Sequence, residues 1–266
     1  MQGPFMNQRT FTQRVKQLLA PVVVALMALG KWILPALKFG LPFLKTGGTM
    51  LLSIALYAQA WGWKFAVGFV LLLFVHETGH LLAARLMGLK VGWPVFIPFM
   101  GAMIALKEAP RNAWVEAVVG VGGPLLGGLG ALATGALYFV TGHPLFLVLA
   151  YAGLFLNLFN LVPIVPLDGG RIVSAISPWL WIVGLVLIVP LLLWQLSGAG
   201  ILILLIVAMS LPRVIALFRR RNTEAVRYFE CTPAQRWTMG ILYFGLLAGM
   251  GCAMGILHEI LLEQVS

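Results

Sequence analysis

From Lys64 to Gly88 the chain runs for a bilayer's length with almost no charge, and the polar cluster in its middle is His76-Glu77-Thr78-Gly79-His80. That stretch constrains the fold more than any other, because about 20 apolar residues of helix cross a hydrocarbon core. In lipid every backbone N–H and C=O must bond within the protein, which favours a helix here. An ionisable group at that depth costs about 2.5–3.5 kcal/mol on insertion scales and is a functional candidate by default. The flanks, Val67 to Val75 on one side and Leu81 to Ala84 on the other, offer no solvated face that would make the cluster incidental.

Two histidines four apart stand one above the other on one helix face. Neutral imidazoles at that spacing bind one metal ion, usually zinc. Glu77, next to His76, is placed to take a proton from a metal-bound water.

Composition agrees with a membrane setting. The chain is 61% hydrophobic and 10% charged, against about 45–50% and 25% for a soluble domain. The sequence predicts an all-α polytopic membrane protein of about six transmembrane helices. Its net charge of +10 lies between apolar spans, as the positive-inside rule requires, so no nucleic-acid partner is expected. Cys231 and Cys252 stand far apart and give neither a disulfide framework nor metal-ligand spacing. The polar, basic start, Met1 to Lys16, leads to no small-residue cleavage site, so no removable signal peptide is expected.

Within residues 17–45, Lys31, Lys38 and Lys45 recur at seven-residue spacing, broken by Pro35 and Pro42. Short basic pieces lying in the membrane interface are expected there. A rather short span starts at Thr49, with Trp61 and Trp63 as interface anchors. Residues 90–111 carry Pro94 and Pro98 and are too short in apolar content to span; they read as a re-entrant loop or β-hairpin beside the metal site. Further spans are expected at Ala113–Thr141, whose glycines let helices approach closely, at Pro144–Val162, Ile172–Leu196, Ile201–Phe218 and Trp237–Leu257. Arg219–Arg236 reads as a basic, partly helical loop. The loops near Arg85–Arg111, Arg171 and Arg213–Arg236 are basic, whereas residues 142–144 and 197–200 hold no Lys or Arg. Alternating spans place the basic loops together on the cytoplasmic side.

A catalytic zinc takes three protein ligands and keeps one position open. His143 and His258 fall near the opposite face, so the third ligand is expected to be a carboxylate. Asp168, in Leu-Asp-Gly-Gly after Pro163 and Pro166, is the foremost candidate; it also suits a helix cap paired with Arg171. Glu108 and Glu116 are the rivals. Asn160 suits a substrate-holding or oxyanion-stabilising amide, or a helix-packing one. Asn157 is a second amide nearby.

His-Glu-Thr-Gly-His in a membrane span, followed by Asn160-Leu-Val-Pro-Ile-Val-Pro-Leu-Asp168-Gly-Gly, resembles the site-2 protease family of intramembrane zinc metalloproteases. The resemblance implies zinc bound by His76, His80 and Asp168, with Glu77 as catalytic base and Asn160 in the active site. Phe96 to Ala102 resembles the family's membrane-dipping hairpin, which implies substrate contact at Phe99, Gly101 and Ala102. Gly123-Pro124 resembles a further motif, in which the family often has Asn where this chain has Gly127. The resemblance covers about residues 46–200, and no loop is long enough for the PDZ or CBS domain that many relatives carry.

The expected division is a basic tail and interfacial segment over residues 1–45, an intramembrane metalloprotease core over 46–218, and a basic loop with a final helix over 219–266. The expected function is zinc endoproteolysis of transmembrane segments, with transmembrane proteins and the lipid bilayer as partners. The expected location is a multi-pass membrane protein (the inner membrane in a bacterium) with its active site toward the cytoplasm. Two alternatives stand beside it: a prenyl-peptide-processing type of membrane zinc protease with a Glu ligand, and a non-catalytic metal-binding membrane protein.

Overall fold

A computed structural model describes residues 45–97, 101–194, 199–218 and 227–264. Contacts divide the chain into two compact units, Met1–Gly48 and Thr49–Ser266. The interfacial segment expected over residues 17–45 lies outside the described residues save for its last position.

The described residues are mostly helical, with one β-hairpin. In the second unit, residues 49–61 are helical, helix α1. Gly62, at φ 80°, ends it and opens α2, Trp63–Leu86; only glycine adopts that backbone at no steric cost. Strands β1, Val91–Ile97, and β2, Gly101–Leu106, form an antiparallel hairpin in which Ile97 faces Gly101 and Phe96 faces Ala102. The ladder is irregular between Val91 and Pro94, as a proline without an N–H requires.

Helix α3, Ala113–Thr141, starts on Asn112, whose side chain accepts from Val115 N–H, and stops at the left-handed Gly142. Helix α4, Pro144–Asn160, has proline in its first turn and His143 as its cap. The single span expected over Ile172–Leu196 is two helices, α5, Asp168–Ile176, and α6, Leu180–Trp194. Ser177-Pro178-Trp179 separates them, because Pro178 removes a donor and disfavours helix at Ser177. Helix α7 is Ala199–Phe218. The last helix, α8, Pro233–Glu263, opens four residues before the expected Trp237. A capping box does this: Thr232 accepts from Gln235 N–H and the Gln235 side chain accepts from Thr232 N–H.

Three of these helices, α2, α3 and α8, are long and apolar enough to cross a membrane; α4 and parts of α6 and α7 are shorter apolar helices. Helix α3 lies at the centre, packed on α2, α4, α5 and α8. Ala117, Val121, Leu147, Leu154, Ile172 and Met250 are buried between α3, α4, α5 and α8. A smaller cluster of Tyr57, Val70, Leu73 and Phe96 joins α1, α2 and the hairpin. Many large apolar side chains face outward, among them Phe139, Val186, Trp237 and Ile241, the inverse of a soluble surface.

The approach of α2 to α3 is backbone against backbone. A Cβ on Gly79 would lie 2.0 Å from the Gly122 carbonyl oxygen, and one on Gly122 would lie 2.5 Å from that of Gly79. Small residues at a helix crossing allow this closeness. It sets the faces that carry the histidines directly on α3.

Candidate metal centre

His76 and His80 lie on the buried face of α2, toward α3. Their rings meet edge to face at 4.8 Å between centroids. The His80 Nδ1 proton is donated to the Val119 carbonyl at 2.8 Å, since a carbonyl only accepts. His76 Nδ1 lies 2.9 Å from Asn157 Oδ1. The Nε2 atoms of both rings therefore turn inward, 3.1 Å apart.

Asp168 comes from a different part of the chain. Pro163 and Pro166 end α4, and the turn returns at Asp168, the first residue of α5. The glycines after it pack on backbone: a Cβ on Gly169 would lie 2.1 Å from the Leu161 oxygen, and one on Gly170 would lie 2.3 Å from the Ile164 carbonyl carbon. The turn is braced by Tyr243 of α8, whose hydroxyl donates to Leu161 O at 2.7 Å, and by Trp181, whose indole N–H donates to Gly170 O at 2.7 Å. The preceding Leu167 gives no side-chain cap and Asp168 sits within the first turn, so Asp168 is not the helix cap that its residue type also allowed. Its Oδ2 lies 3.2 Å from each Nε2, and Oδ1 lies 3.7 Å from Arg171 Nη1.

Two imidazole lone pairs and a carboxylate oxygen thus converge on one point in a buried site. Three acceptors facing one another need positive charge between them. Separations of 3.1–3.2 Å suit neighbouring ligands of a tetrahedral zinc with bonds of about 2.0–2.2 Å. Two imidazoles and one carboxylate are a donor set that fits zinc. Among the described residues, His76, His80 and Asp168 form the one such group.

The rival carboxylates are engaged elsewhere. Glu108 is exposed and pairs with Lys90 at 2.9 Å. Glu116 accepts from Arg213 at 3.3 Å and from the Tyr228 hydroxyl at 2.7 Å. Burial, and then the Glu116 carboxylate, hold that hydroxyl well above its ordinary pKa. His143 caps α4, and His258 stacks on Tyr151.

Glu77 is buried beside the group, within Coulombic reach of His80, His76, Asp168 and Arg171, and forms no hydrogen bond with another described residue. Asn160 is half-buried at the end of α4. The amide that meets one of the histidine rings, at His76 Nδ1, belongs to Asn157, to which the sequence alone assigned no role. A second amide in an apolar helix was the available signal, because polar groups at bilayer depth are costly there too. Of the three residues expected at the substrate, Phe99 lies outside the described residues. Gly101 and Ala102 pair with β1.

Peptidase family M50 matches residues 64–144, from α2 into the start of α4. Asp168 lies beyond that match and is brought to the histidines by the fold. A zinc metalloprotease of Methanocaldococcus jannaschii is 33% identical over 120 residues, covering 42% of this chain and 34% of that protein. A Synechocystis protein whose name reads putative zinc metalloprotease is 29% identical over 153 residues, 53% of this chain and 36% of its own length. A chloroplastic protein of Oryza sativa, named a probable zinc metalloprotease, is 30% identical over 145 residues, 38% of this chain and 27% of its own. The chain thus matches about a third of the length of these relatives.

Proposed function

We propose that the chain belongs to peptidase family M50, the site-2 protease family, whose model matches residues 64–144, and that it is an intramembrane zinc metalloendopeptidase cutting transmembrane segments of membrane proteins. The observation that carries the reading is the convergence of His76 Nε2, His80 Nε2 and Asp168 Oδ2 at 3.1–3.2 Å with Glu77 buried beside them.

His76, His80 and Asp168 hold the ion. When bound, zinc supplies Lewis acidity, acidifying a water toward a pKa of about 7 and polarising a peptide carbonyl. The Glu77 carboxylate takes a proton from the attacking water and returns it to the leaving amide nitrogen. Asn160, at the end of α4, orients the substrate or donates to the developing oxyanion. The apolar walls of α2, α3 and α4 keep bulk water from this exchange.

A helical substrate hides its carbonyls in its own hydrogen bonds and must unwind. The hairpin suits this step, since an extended segment can add to a sheet edge near Gly101 and Ala102. We read the hairpin as dipping into the membrane, because buried Phe96 stacks on Phe74 of membrane-length α2. In this reading α4, α6 and α7 cross the bilayer with the three longer helices. Residues 46–218 are the catalytic core in this reading, and the last helix, α8, packs against it. The active site faces the cytoplasm: the basic ends lie together, with Arg111 donating to Met87 O, Arg213 on Glu116 and Arg236 on Ile176 O. Glu108 and Glu116, held by Lys90 and by Arg213 with Tyr228, leave the prenyl-peptide-processing alternative without a third ligand.

The experiment is zinc content together with cleavage of a model single-span substrate in detergent, for wild type, Glu77→Gln and Asp168→Asn. We expect wild type to hold one zinc and cut, Glu77→Gln to hold zinc without cutting, and Asp168→Asn to lose the ion. Full zinc and activity in Asp168→Asn would remove that residue from the ligand set. A wild type that binds zinc and cuts nothing across a broad substrate screen would favour the non-catalytic alternative.

A further inference from the structure

We propose that Asn157 is a positioning residue that locks the His76 ring in the tautomer and orientation needed to present Nε2 to a metal. The inference rests on the zinc site read above. Three contacts on α3 and α4 carry it.

The first fixes the amide. Its Nδ2 donates to the Gly153 carbonyl, one turn back on α4, at 2.8 Å. That carbonyl cannot donate, so the NH2 end faces it and Oδ1 faces α2. The second follows. Oδ1 lies 2.9 Å from His76 Nδ1 and only accepts, so the His76 proton resides on Nδ1 and the Nε2 lone pair is bare. The third is a cradle. A Cβ on Gly127 of α3 would lie 2.5 Å from Oδ1 and 3.0 Å from Nδ2 of Asn157. The α3 backbone therefore closes over the amide with no side chain between.

His80 is held by the same logic through the Val119 carbonyl. The two imidazoles are thus oriented from opposite neighbours, His80 by a main-chain acceptor on α3 and His76 by a side chain on α4. Partners on the far nitrogen of a metal-bound imidazole fix its orientation and raise its basicity, and their loss costs about 10–100-fold in metal affinity or activity. Asn157 is 2% exposed, so water does not replace it readily.

The test is zinc affinity, measured by competition with a chromogenic chelator on the full-length protein, for wild type, Asn157→Leu and Asn157→Asp. Leucine fills the space without an acceptor; aspartate keeps an oxygen where Oδ1 stood. We expect Asn157→Leu to weaken zinc binding about 10–100-fold and Asn157→Asp to bind within about threefold of wild type or tighter. Near-wild-type affinity in Asn157→Leu overturns the proposal, and so does an equal loss in both variants, which would mark a packing role. A wild type that binds no zinc overturns the site itself. Should Asn157→Leu fail to fold, long-range 1H–15N spectra of zinc-loaded, histidine-labelled wild type decide, with His76 assigned through a His76→Gln variant. A proton on His76 Nδ1 supports the proposal, and a proton on Nε2 overturns it.

Discussion

Gly123 of α3 faces the His80 ring so closely that a Cβ there would stand 2.2 Å from Nε2 and 2.4 Å from Cε1. Replacing it with alanine presses a methyl carbon onto the face of that ring, since it would stand 2.2, 2.4 and 2.7 Å from Nε2, Cε1 and Cδ2. To reach the 3.4 Å at which ordinary van der Waals contact begins, His80 must retreat by about 1.2 Å. It cannot do so and keep its 2.8 Å hydrogen bond to Val119 O. Ligand distances at a working metal site hold within about 0.2 Å, and a 1 Å misplacement costs about 100-fold. Gly123→Ala should therefore bind zinc at least about 100-fold more weakly by chelator competition. Overpacking should cost a further 1–3 kcal/mol or so of stability. Gly130→Ala is the control on the same helix: its Cβ meets Val75 Cγ1 at 3.1 Å, an adjustable side chain. It should keep zinc and gain some of the roughly 1 kcal/mol that alanine holds over glycine in a helix. Zinc affinity in Gly123→Ala within about threefold of wild type would refute this account of how α3 cradles the site.

Other perturbations probe the supports. Tyr243→Phe leaves the Leu161 carbonyl without its donor and should cost about 1–3 kcal/mol in denaturant or thermal unfolding; an unchanged transition would show that the brace carries no energy. Gly79→Ala sets a methyl against the Gly122 backbone and should destabilise more than any alanine on the open glycines Gly245 or Gly249 of α8, read by melting temperature in one detergent. The Tyr228 hydroxyl titrates above its ordinary value when folded, so its contribution is constant below the unfolded pKa of about 10 and is lost as pH rises beyond it. Wild type should therefore lose more stability than Tyr228→Phe in an alkaline series, and parallel curves would contradict the Glu116 contact.

How much the sequence could reveal depended on whether a signal was local. His76 and His80 needed only the helix repeat. Asp168 stood first among the carboxylates for its place between Pro163, Pro166 and two glycines, and the resemblance reinforced it over Glu108 and Glu116, because no periodicity links α2 to a turn so far along the chain. The hairpin at Val91–Ile97 and Gly101–Leu106 was legible from its prolines. The split at Ser177–Trp179 was not, although Pro178 was its signal, because hydropathy stays high from Ile172 to Leu196 and masks the break. The Asn157 contact was not legible either: it joins α4 to α2 through a gap left by Gly127 on α3, a coincidence of three helices that exists only after packing.

The braces on the Asp168 turn bear on when the protein can become whole. Tyr243 and Arg236 both belong to the last helix, and they reach Leu161 O before Asp168 and Ile176 O at the end of α5. During synthesis His76, His80 and Asp168 all emerge before either brace exists. At about 5–20 residues per second several seconds separate them. The nascent chain therefore carries all three candidate ligands through an interval in which the third has only its Trp181 brace, and zinc should be retained tightly only once α8 has inserted and Tyr243 adds the other. Chains arrested before Thr232 should exchange their zinc readily, whereas released chains should keep it. The metal site would then stay loosely set until α8 packs beneath it.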